Sequence, residues 1–375
     1  MSDPRPLHGM RIGLLTAVAS RAGAGVFEAV LQQAAMIRAL GGEALIFALR
    51  DEHSDADAGR FAPSLVRTFA VAGPRQLGFA PGLVAALIAA RLDVLHLHGI
   101  WMYPSRAATL WRRRTGRPYL ISAHGMLDPT TVGRRRWKKA IGRIGYERAS
   151  WRSADGFHAL TLQEAANIRG QVGPTRVIVI PNAAPPPAGD AARNLPAPQF
   201  LFLGRIHPQK NLVALLAAWR AAGMDAIAEL LIAGWGDPAE EARLRAAAHY
   251  AGSKVRLLGP VHGAAKQALL GSARFMVLPS LGEAMPMSIL EGWAAGLPAI
   301  ISTRSNLPEG IAAGAALACD TDPASIAAAL RRAAALDDAQ WRAMSQAGLG
   351  LAQGPFSAQS VAAQWARAYR GEYAA

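Results

Sequence analysis

Short apolar runs alternate along the chain with longer stretches in which apolar residues recur every three or four positions. Runs of the first kind predict strands at 10–18, 43–49, 93–99, 118–125, 156–160, 176–183, 199–205, 228–236, 255–259, 273–280 and 298–302. Stretches of the second kind predict helices, the clearest at 81–91, 105–115, 134–153, 161–170, 211–223, 238–251, 262–271, 287–295 and 323–335. Because strands and helices take turns, the pattern predicts an α/β protein whose parallel sheets are covered by helices.

The alternation is interrupted at 181–198, a Pro- and Ala-rich segment without periodicity. This composition favours a linker between domains. We therefore predict an N-terminal domain at 1–183, a C-terminal domain at 184–355 and a final amphipathic helix at 356–375. In open parallel sheets, ligands bind beyond the carboxyl ends of the strands, so the segments that follow the strands are where chemistry is expected.

Two helix starts can be predicted from their capping residues. Thr161 and Glu164 have the spacing of a capping box, and that helix is expected to end at Gly170. "CDTDP" contains a D-x-D, which can hold a metal-bound nucleotide sugar in a different fold. Here Asp322-Pro323 precedes a helical stretch, so we interpret the pair as an N-cap and a first helical residue. No cluster of His, Cys, Asp and Glu has ligand spacing, and no metal is predicted.

Composition places the chain among soluble globular proteins. Its 375 residues suggest two domains, and 51% of them are apolar against 18% charged. The single cysteine, Cys319, excludes a disulfide framework and suits a reducing compartment. The first residues lack an apolar leader, and no apolar run approaches the roughly 18 residues of a membrane span. We expect a cytoplasmic protein.

The net charge of +14 is concentrated in one region. Residues 105–156 contain thirteen Lys or Arg against three acids, a local +10. Such a region binds polyanions: nucleic acid, an anionic membrane or a phosphorylated acceptor. Within it, Trp137, Ile141, Ile144 and Trp151 fall on one helical face. That face fits a helix lying on the inner leaflet of a membrane, or a helix docked on its own sheet with a solvated outer side.

The loop "FLGRIHPQKN" follows a strand and precedes a helix, and it carries Gly204, Arg205 and Lys210. A guanidinium and an ammonium beside a helix start can clamp a diphosphate. The alternative is a solvated loop, because both residue types are common in loops.

A second strand–loop–helix segment, "PSLGEAMPMSILEGWAAGLP", carries Glu283 in its loop and Glu291 in its helix. Glu283 could accept hydrogen bonds from sugar hydroxyls, and Glu291 from a ribose. The backbone amides of Met285, Met287 and Ser288 are expected to point out of the helix start towards an anion.

The segments "VIPN", "GRIHPQKN", "AGWGD", "GPVHG" and "LPSLGEAMPMSILEGWAAGLP" occur in this order. Together they resemble the GT-B glycosyltransferases of family 4, also called group 1, which are retaining enzymes that use nucleotide sugars. The resemblance covers nearly the whole chain. It implies a GT-B fold, with two Rossmann-like doubly wound domains facing a central cleft and the last helix crossing back to the N-terminal domain.

The resemblance also implies residue roles. Arg205 and Lys210 match the residues that hold the donor diphosphate, Glu283 the one that contacts the donor sugar, and Glu291 the one that binds the ribose hydroxyls. The implied donor-binding set is Gly204, Arg205, Lys210, Gly234, Ala284, Met285, Pro286, Met287, Ser288 and Glu291. Catalysis is assigned to His124, Arg205, Lys210 and Glu283. The family needs no metal, and no cofactor is expected besides the donor substrate.

The N-terminal half supplies acceptor-side candidates. His124 in "ISAHGMLDP" matches a histidine that reaches the transferred sugar, and the alternative is a histidine satisfied within its own turn. "HGMLDP" is similar to members that build bacterial surface polysaccharides. His98, at a neighbouring predicted strand end, is expected to line the acceptor side. The loop 22–26 contains Gly23, Ala24 and Gly25, whose amides could meet a phosphate or hydroxyl. Here the family usually has Gly-Gly, and Asn182 is followed by alanine instead of glycine.

These features predict a retaining hexosyltransferase that uses a nucleotide-diphosphate sugar. The expected acceptor is a hydroxyl of a glycan or a polyprenyl-diphosphate-linked intermediate in exopolysaccharide, capsule or lipopolysaccharide synthesis, with the protein peripheral on the inner leaflet. Two alternatives stay open: an epimerase of the same fold, which the E-x7-E match of Glu283 and Glu291 disfavours, and a polyanion- or nucleic-acid-binding protein that uses region 105–156, for which no nucleic-acid module is recognised. A glycan phosphorylase is disfavoured because its cofactor-lysine setting is not seen, and an NAD enzyme because no G-x-G-x-x-G opens the first helix.

Overall fold

The structure, a computed structural model, describes residues 5–18, 20, 23–57, 66–128, 143–187 and 198–372. Contacts group the chain into two compact units. The first contains the chain up to Ile180 and again from Ala362 onwards, and the second contains Pro181–Val361. The last helix, Ala358–Tyr369, begins in the second unit and continues in the first.

The first unit is built on a seven-stranded sheet in which every pairing is parallel. Its strands are β1 (Arg11–Thr16), β2 (Glu43–Leu49), β3 (Val66–Phe69), β4 (Val94–His98), β5 (Tyr119–Ser122), β6 (Gly156–Ala159) and β7 (Val177–Val179), in the spatial order β3-β2-β1-β4-β5-β6-β7. β4, β5 and β6 are buried along their whole length, as strands covered by helices on both faces should be.

The second unit repeats the plan with six parallel strands. They are β8 (Gln199–Leu203), β9 (Glu229–Ala233), β10 (Val255–Gly259), β11 (Phe275–Leu278), β12 (Ala299–Ser302) and β13 (Ala316–Cys319), in the order β10-β9-β8-β11-β12-β13. In both sheets the chain first builds outwards on one side and then returns to the other side of the first strand. The resulting switch points lie between β1 and β4 and between β8 and β11, where doubly wound sheets bind ligands.

Helices connect these strands. Within the described residues, the first unit has Ala24–Ala39, Ser54–Asp57, Leu83–Ala89, Tyr103–Thr115, Arg148–Ser153 and Leu162–Val172, with a π-helical turn at Arg143–Glu147. The second unit has Leu212–Ala221, Pro238–Ala251, Gly263–Ser272, Met287–Ala294, Pro308–Ala312, Pro323–Ala334 and Asp338–Gln353. Along the described residues, no helix combines the length and apolar character that crossing a bilayer requires.

The predicted alternation of strands and helices is confirmed, with corrections at individual elements. The cap at Asp322 is confirmed, because its side chain accepts from the Ser325 amide at 3.0 Å. The helix after Thr161 was expected to end at Gly170 but continues to Val172, since one glycine inside a helix costs only about 1 kcal/mol relative to alanine and does not by itself end it. Strands β3 and β13 and the helices Pro308–Ala312 and Asp338–Gln353 were not predicted.

Candidate active site

In the second unit, the two loops singled out by sequence follow neighbouring strands at the switch point. β8 leads into the segment with Arg205 and Lys210, and β11 leads into the segment with Glu283. Since β8 and β11 are paired in parallel, their carboxyl ends lie side by side. Residues separated by 73 positions in the chain are thereby brought into contact.

The contact is an ion pair between Lys210 and Glu283. Lys210 Nζ lies 2.6 Å from Glu283 Oε1, and the two side chains are only 20% and 12% exposed. The Ser280 hydroxyl donates to the same carboxylate oxygen at 2.6 Å. Among the described residues, no side chain or amide contacts Glu283 Oε2, which leaves one oxygen of a preoriented carboxylate for a ligand hydroxyl.

The backbone around this pair is fixed from three sides. Asn211, in a left-handed conformation with φ of 58°, donates its side-chain amide to the carbonyls of Pro279 and Thr321 at 3.1 and 2.7 Å. Gln209 Nε2 donates to the Gly282 carbonyl at 2.6 Å. Asn306 Nδ2, from the segment after β12, donates to the Glu283 carbonyl. The loop therefore holds its carboxylate in place without a ligand.

Arg205 differs from Lys210 because its side chain is exposed and makes no ion pair or hydrogen bond within the described residues. Its backbone is nevertheless rigid. The Gly204 amide donates to the Ala233 carbonyl at 3.1 Å, and the Ile206 amide to the Trp235 carbonyl at 2.7 Å. Arg205 thus offers an uncompensated guanidinium at a fixed strand end.

Gly234 explains how the ends of β8 and β9 approach so closely. Its φ is 159°, and a β-carbon there would collide with the carbonyl oxygen of Gly204. Only glycine permits this contact without a backbone shift. The predicted donor-site glycines 204 and 234 therefore face each other directly, as a structural pair.

The helix Met287–Ala294 begins directly after Pro286, which is its N-cap. Met287 and Ser288 occupy its first two positions, where amides have no acceptor inside the helix. Met285 is 8% exposed, and its sulfur lies 3.1 Å from the Asn182 amide nitrogen. Ala284 is partly buried. The N-terminal end of this helix can therefore present amides and a positive dipole end to an anion.

Glu291 forms a second ion pair that sequence reasoning missed. Lys266 Nζ, from the helix Gly263–Ser272, lies 2.9 Å from Glu291 Oε1. The side chains are 28% and 22% exposed. The segment "HGAAKQALLGS" contains no pattern that points to a ligand, so only the packing of the two helices reveals this lysine.

In the first unit, the predicted histidines 98 and 124 lie at the carboxyl ends of β4 and β5 and touch. His98 Nδ1 is 3.0 Å from His124 Nε2, and the rings are stacked with centroids 5.2 Å apart. Desolvation lowers the pKa of both imidazoles, and the neighbouring histidines lower it further, so both are neutral near pH 7. His98 Nε2 is buried without a partner among the described residues.

Two further histidines extend this cluster along the strand ends. His158 Nε2 lies 2.8 Å from the Ile180 carbonyl, which can only accept, so this nitrogen carries the proton. Burial lowers the pKa of His158 to about 4, and its bare Nδ1 must accept from the Ser122 hydroxyl at 2.7 Å. Neutral His158 thus fixes the direction of the Ser122 hydrogen bond.

The same logic continues beyond Ser122. His96 Nε2 donates to the Ser122 oxygen at 2.7 Å, and Tyr369 donates its hydroxyl to His96 Nδ1 at 2.8 Å. Gln33 Nε2 completes the chain by donating to the Tyr369 oxygen at 2.7 Å. All these side chains are buried, and they attach the end of the last helix to β4, β5 and β6. Sequence analysis missed His96 and His158 because both lie inside apolar strands.

The glycine-rich loop 22–26 was wrongly predicted to be a loop throughout. Residue 22 is outside the described residues, Gly23 is the N-cap with helical φ and ψ, and Ala24 and Gly25 already belong to the helix Ala24–Ala39. The helix starts early because alanine is the strongest helix former and glycine is accepted at an N-cap, and these offset the cost of about 1 kcal/mol for Gly25. The first-turn amides have no intrahelical acceptor, so phosphate or hydroxyl binding here stays a prediction.

Much of the predicted basic helix 134–153, including Trp137 and Ile141 and the side chain of Ile144, lies outside the described residues. At its described end, Trp151 is 5% exposed and packs edge-on against Trp101 at a centroid distance of 5.9 Å. That end is docked on its own unit. Within the described residues, no group of three His, Cys, Asp or Glu side chains is arranged to hold a metal.

Two family models match the chain. "Glycosyl transferases group 1" matches residues 197–335, and "Glycosyl transferase 4-like domain" matches residues 24–183. The chain is 28% identical over 319 residues to a phosphatidyl-myo-inositol mannosyltransferase of Mycobacterium leprae, covering 78% of each protein. It is 28% identical over 176 residues to the O-antigen chain mannosyltransferase B of Escherichia coli, covering 45% of each.

Solved structures share the fold. Sucrose-phosphate synthase from Thermosynechococcus elongatus superposes with a TM-score of 0.79 at 22% identity, over 96% of this chain and 98% of that one. Anabaena HepE in complex with UDP and glucose superposes with a TM-score of 0.76 at 15% identity, over 96% and 100%. At these identities the similarity shows the fold alone: each of the two units is a Rossmann-like domain with a parallel sheet and helices.

Proposed function

From its membership of the group 1 glycosyl transferases and its GT-B fold, we propose that this chain is a hexosyltransferase. It transfers the hexose from a nucleotide-diphosphate sugar to a hydroxyl acceptor, with retention of configuration. The observation that carries the proposal is the Lys210–Glu283 pair beside the unpaired Arg205 at the switch point of the second unit. Cations suit a diphosphate, and a fixed carboxylate suits sugar hydroxyls.

Donor binding uses the second unit. Arg205 and Lys210 hold the diphosphate together with the amides of Met287 and Ser288, Glu283 accepts from the hexose, and Glu291 accepts from the ribose. The HepE structures that share this fold were solved with UDP and with UDP-glucose. That likeness supports a nucleotide sugar as donor, while the named mannosyltransferase relatives make mannose a hexose to test first.

The chemical difficulty is the departure of a nucleoside diphosphate from the anomeric carbon. Negative charge grows on the leaving phosphate while the sugar becomes oxocarbenium-like. Fixed cations and helix-start amides aimed at that phosphate lower the barrier, and each such donor typically contributes about 3 kcal/mol. The acceptor hydroxyl attacks from the face that the phosphate leaves, and its proton passes to the departing phosphate oxygen. No strong general base, metal or cofactor is then required.

The first unit serves the acceptor and the transferred sugar. His124 contacts the sugar as a neutral hydrogen-bonding group, because its pKa is too low for it to act as a general acid near pH 7. His98 and the helix start at Gly23, Ala24 and Gly25 line the acceptor side. The relatives named for phosphatidyl-myo-inositol and O-antigen chains support a glycan or polyprenyl-diphosphate-linked acceptor used in surface-polysaccharide synthesis.

We further propose that the protein works in the cytoplasm, peripherally on the inner leaflet, with region 105–156 facing anionic lipid. Flotation with vesicles tests this point: phosphatidylglycerol vesicles should carry the protein upwards at low salt, and neutral phosphatidylcholine vesicles should not. Equal behaviour with both would contradict recognition of anionic lipid by region 105–156 and leave the transferase proposal unaffected.

The activity is tested by incubating the protein with UDP-, GDP-, ADP- and dTDP-linked hexoses and measuring nucleoside diphosphate release. Release from one donor, accompanied by free α-hexose or an α-linked product from an α-linked donor, is the expected result. Release of the C2-epimeric sugar would favour the epimerase. No release and no thermal stabilisation with any donor would contradict the proposed function.

A further inference from the structure

Glu164 does not do what its sequence position predicts. In a capping box its carboxylate would return to the amide of Thr161. The Thr161 half of the box is present, since its hydroxyl accepts from the Glu164 amide at 3.1 Å. The carboxylate instead accepts from two other amides: Oε1 from that of Gly125, and Oε2 from that of Leu160, the residue before Thr161, each at 2.8 Å.

The Gly125 amide belongs to the turn that presents His124. His124 and Gly125 both adopt left-handed conformations, with φ of 50° and 73°. A left-handed histidine is unfavourable, and such a residue persists only where its surroundings hold it. Within the turn, the Met126 amide donates to the Ala123 carbonyl at 3.0 Å. From outside the turn, His98 contacts the His124 ring at 3.0 Å, and Glu164 accepts from the turn's backbone at Gly125.

Glu164 can hold the Gly125 amide because it is buried and because its carboxylate has two acceptor oxygens. Glu164 is only 6% exposed, so water does not compete for the Gly125 amide. A carboxylate offers two acceptor oxygens, and both are used, one on the segment after β5 and one on the end of β6. A glutamine offers a single acceptor and would place its NH₂ group against one of the two amides.

We infer that Glu164 is a positioning residue for His124: through the Gly125 amide it holds the left-handed turn that directs the imidazole at the transferred sugar. This inference rests on the proposed role of His124 in transfer. It assigns to a helix-capping glutamate a second task, which is to couple the first turn of the helix Leu162–Val172 to the strand end that carries the histidine.

The matched pair of variants is Glu164→Gln and Thr161→Ala. Both weaken the same helix start, but only the first loses a bond to the turn. We expect kcat to fall about tenfold or more in Glu164→Gln, with the Kd for the nucleoside diphosphate unchanged. Thr161→Ala should lower the melting temperature by about as much as Glu164→Gln does, but keep kcat within about twofold of wild type. His124→Ala combined with Glu164→Gln should be no slower than His124→Ala alone.

Two measurements keep the inference separable from the proposed function. In ¹H–¹⁵N spectra, the Gly125 amide should be strongly downfield in the wild type and in Thr161→Ala, and should move upfield in Glu164→Gln together with the His124 ring signals. An unmoved His124 ring, or losses of kcat that add in the double variant, would overturn the inference. If His124→Ala alone kept full activity while the spectra behaved as expected, the proposed role of His124, and with it the positioning role, would be wrong.

Discussion

Lys210 Nζ lies 2.6 Å from Glu283 Oε1 where β8 and β11 end side by side. The pair brings Lys210, expected to bind the diphosphate, into contact with Glu283, expected to bind the hexose. A donor that binds both must therefore insert its phosphate beside an ammonium already oriented by a carboxylate. Preorientation of this kind reduces the reorganisation needed when charge develops on the leaving group.

Arg205→Ala is the clearest test of the cationic part of the site. We expect kcat/KM to fall about 100- to 1,000-fold, because one fixed donor to the leaving phosphate is removed. The melting temperature should be unchanged, since Arg205 is exposed and makes no ion pair or hydrogen bond in the described structure. Arg256→Ala is the matched control, an exposed arginine of the same unit near the amino end of β10. Equal rates for the two variants would exclude Arg205 from catalysis.

The Lys266–Glu291 pair predicts coupled losses of nucleotide affinity. Glu291→Gln should raise the Kd of the nucleoside diphosphate about tenfold by weakening a charge-assisted bond to the ribose. Lys266→Met should raise it less, because it removes only the partner that orients the carboxylate. The double variant should be no worse than Glu291→Gln, and calorimetry with UDP, GDP and their 2′-deoxy forms measures each value.

The control for that series is Lys254→Met, which removes an exposed lysine whose ammonium lies 3.4 Å from the Ala226 carbonyl. Its Kd should equal that of the wild type. Additive losses from Lys266→Met and Glu291→Gln would mean that the two residues bind the nucleotide independently.

Gly234→Ala should damage the site through backbone sterics. The new methyl group would collide with the Gly204 carbonyl oxygen, and the alanine backbone would have to keep a φ of 159°. We expect a lower melting temperature and weaker nucleotide binding together. Gly350→Ala, at an open helical position with no atom within 4 Å, should instead stabilise the second unit by up to about 1 kcal/mol. Unchanged nucleotide affinity in Gly234→Ala would show that the apposed strand ends do not shape the site.

Glu147 predicts a defined pH dependence. Its side chain is fully buried and accepts from the Trp101 amide at 2.5 Å, and desolvation raises its pKa from 4.5 to about 7. The folded state therefore binds the proton more tightly than the unfolded state. The stability that this group contributes is complete below pH 4.5 and is lost as the pH rises to about 7.

Glu147→Gln removes that titration. The difference in free energy of unfolding, variant minus wild type, should increase by about 3 kcal/mol between pH 4.5 and pH 8, because the wild type loses the contribution of protonated Glu147 over that range. Denaturant unfolding at several pH values measures it. A difference that stays constant with pH would mean that folding does not change the pKa of Glu147.

The fold could be predicted because most strands are uninterrupted apolar runs followed by amphipathic helices. β13 was missed because "ALAC" follows an alanine-rich stretch that is equally compatible with a helix. The helix Asp338–Gln353 carries a complete capping box between Asp337 and Gln340, so a signal for it was present in the sequence. β3 has a mostly exposed four-residue pattern with no clear apolar face.

The candidate site could be predicted only as separate motifs. Sequence places Lys210 and Glu283 after strands but does not say that those strands are neighbours, which depends on the sheet order. Lys266 and the buried histidines 96 and 158 have no local signature, because their partners come from distant segments. Glu164 had a signature, and the structure assigns its carboxylate to a different amide from the one that signature implies.

The most direct test of the central claim is isothermal titration calorimetry of the wild type and Arg205→Ala with UDP-, GDP-, ADP- and dTDP-linked hexoses. We expect a saturable heat with at least one of these donors in the wild type, and a loss of most of that affinity in the variant. No heat with any donor, or the same affinity in both proteins, would contradict the proposal that the strand ends of the second unit bind a nucleotide sugar through its diphosphate.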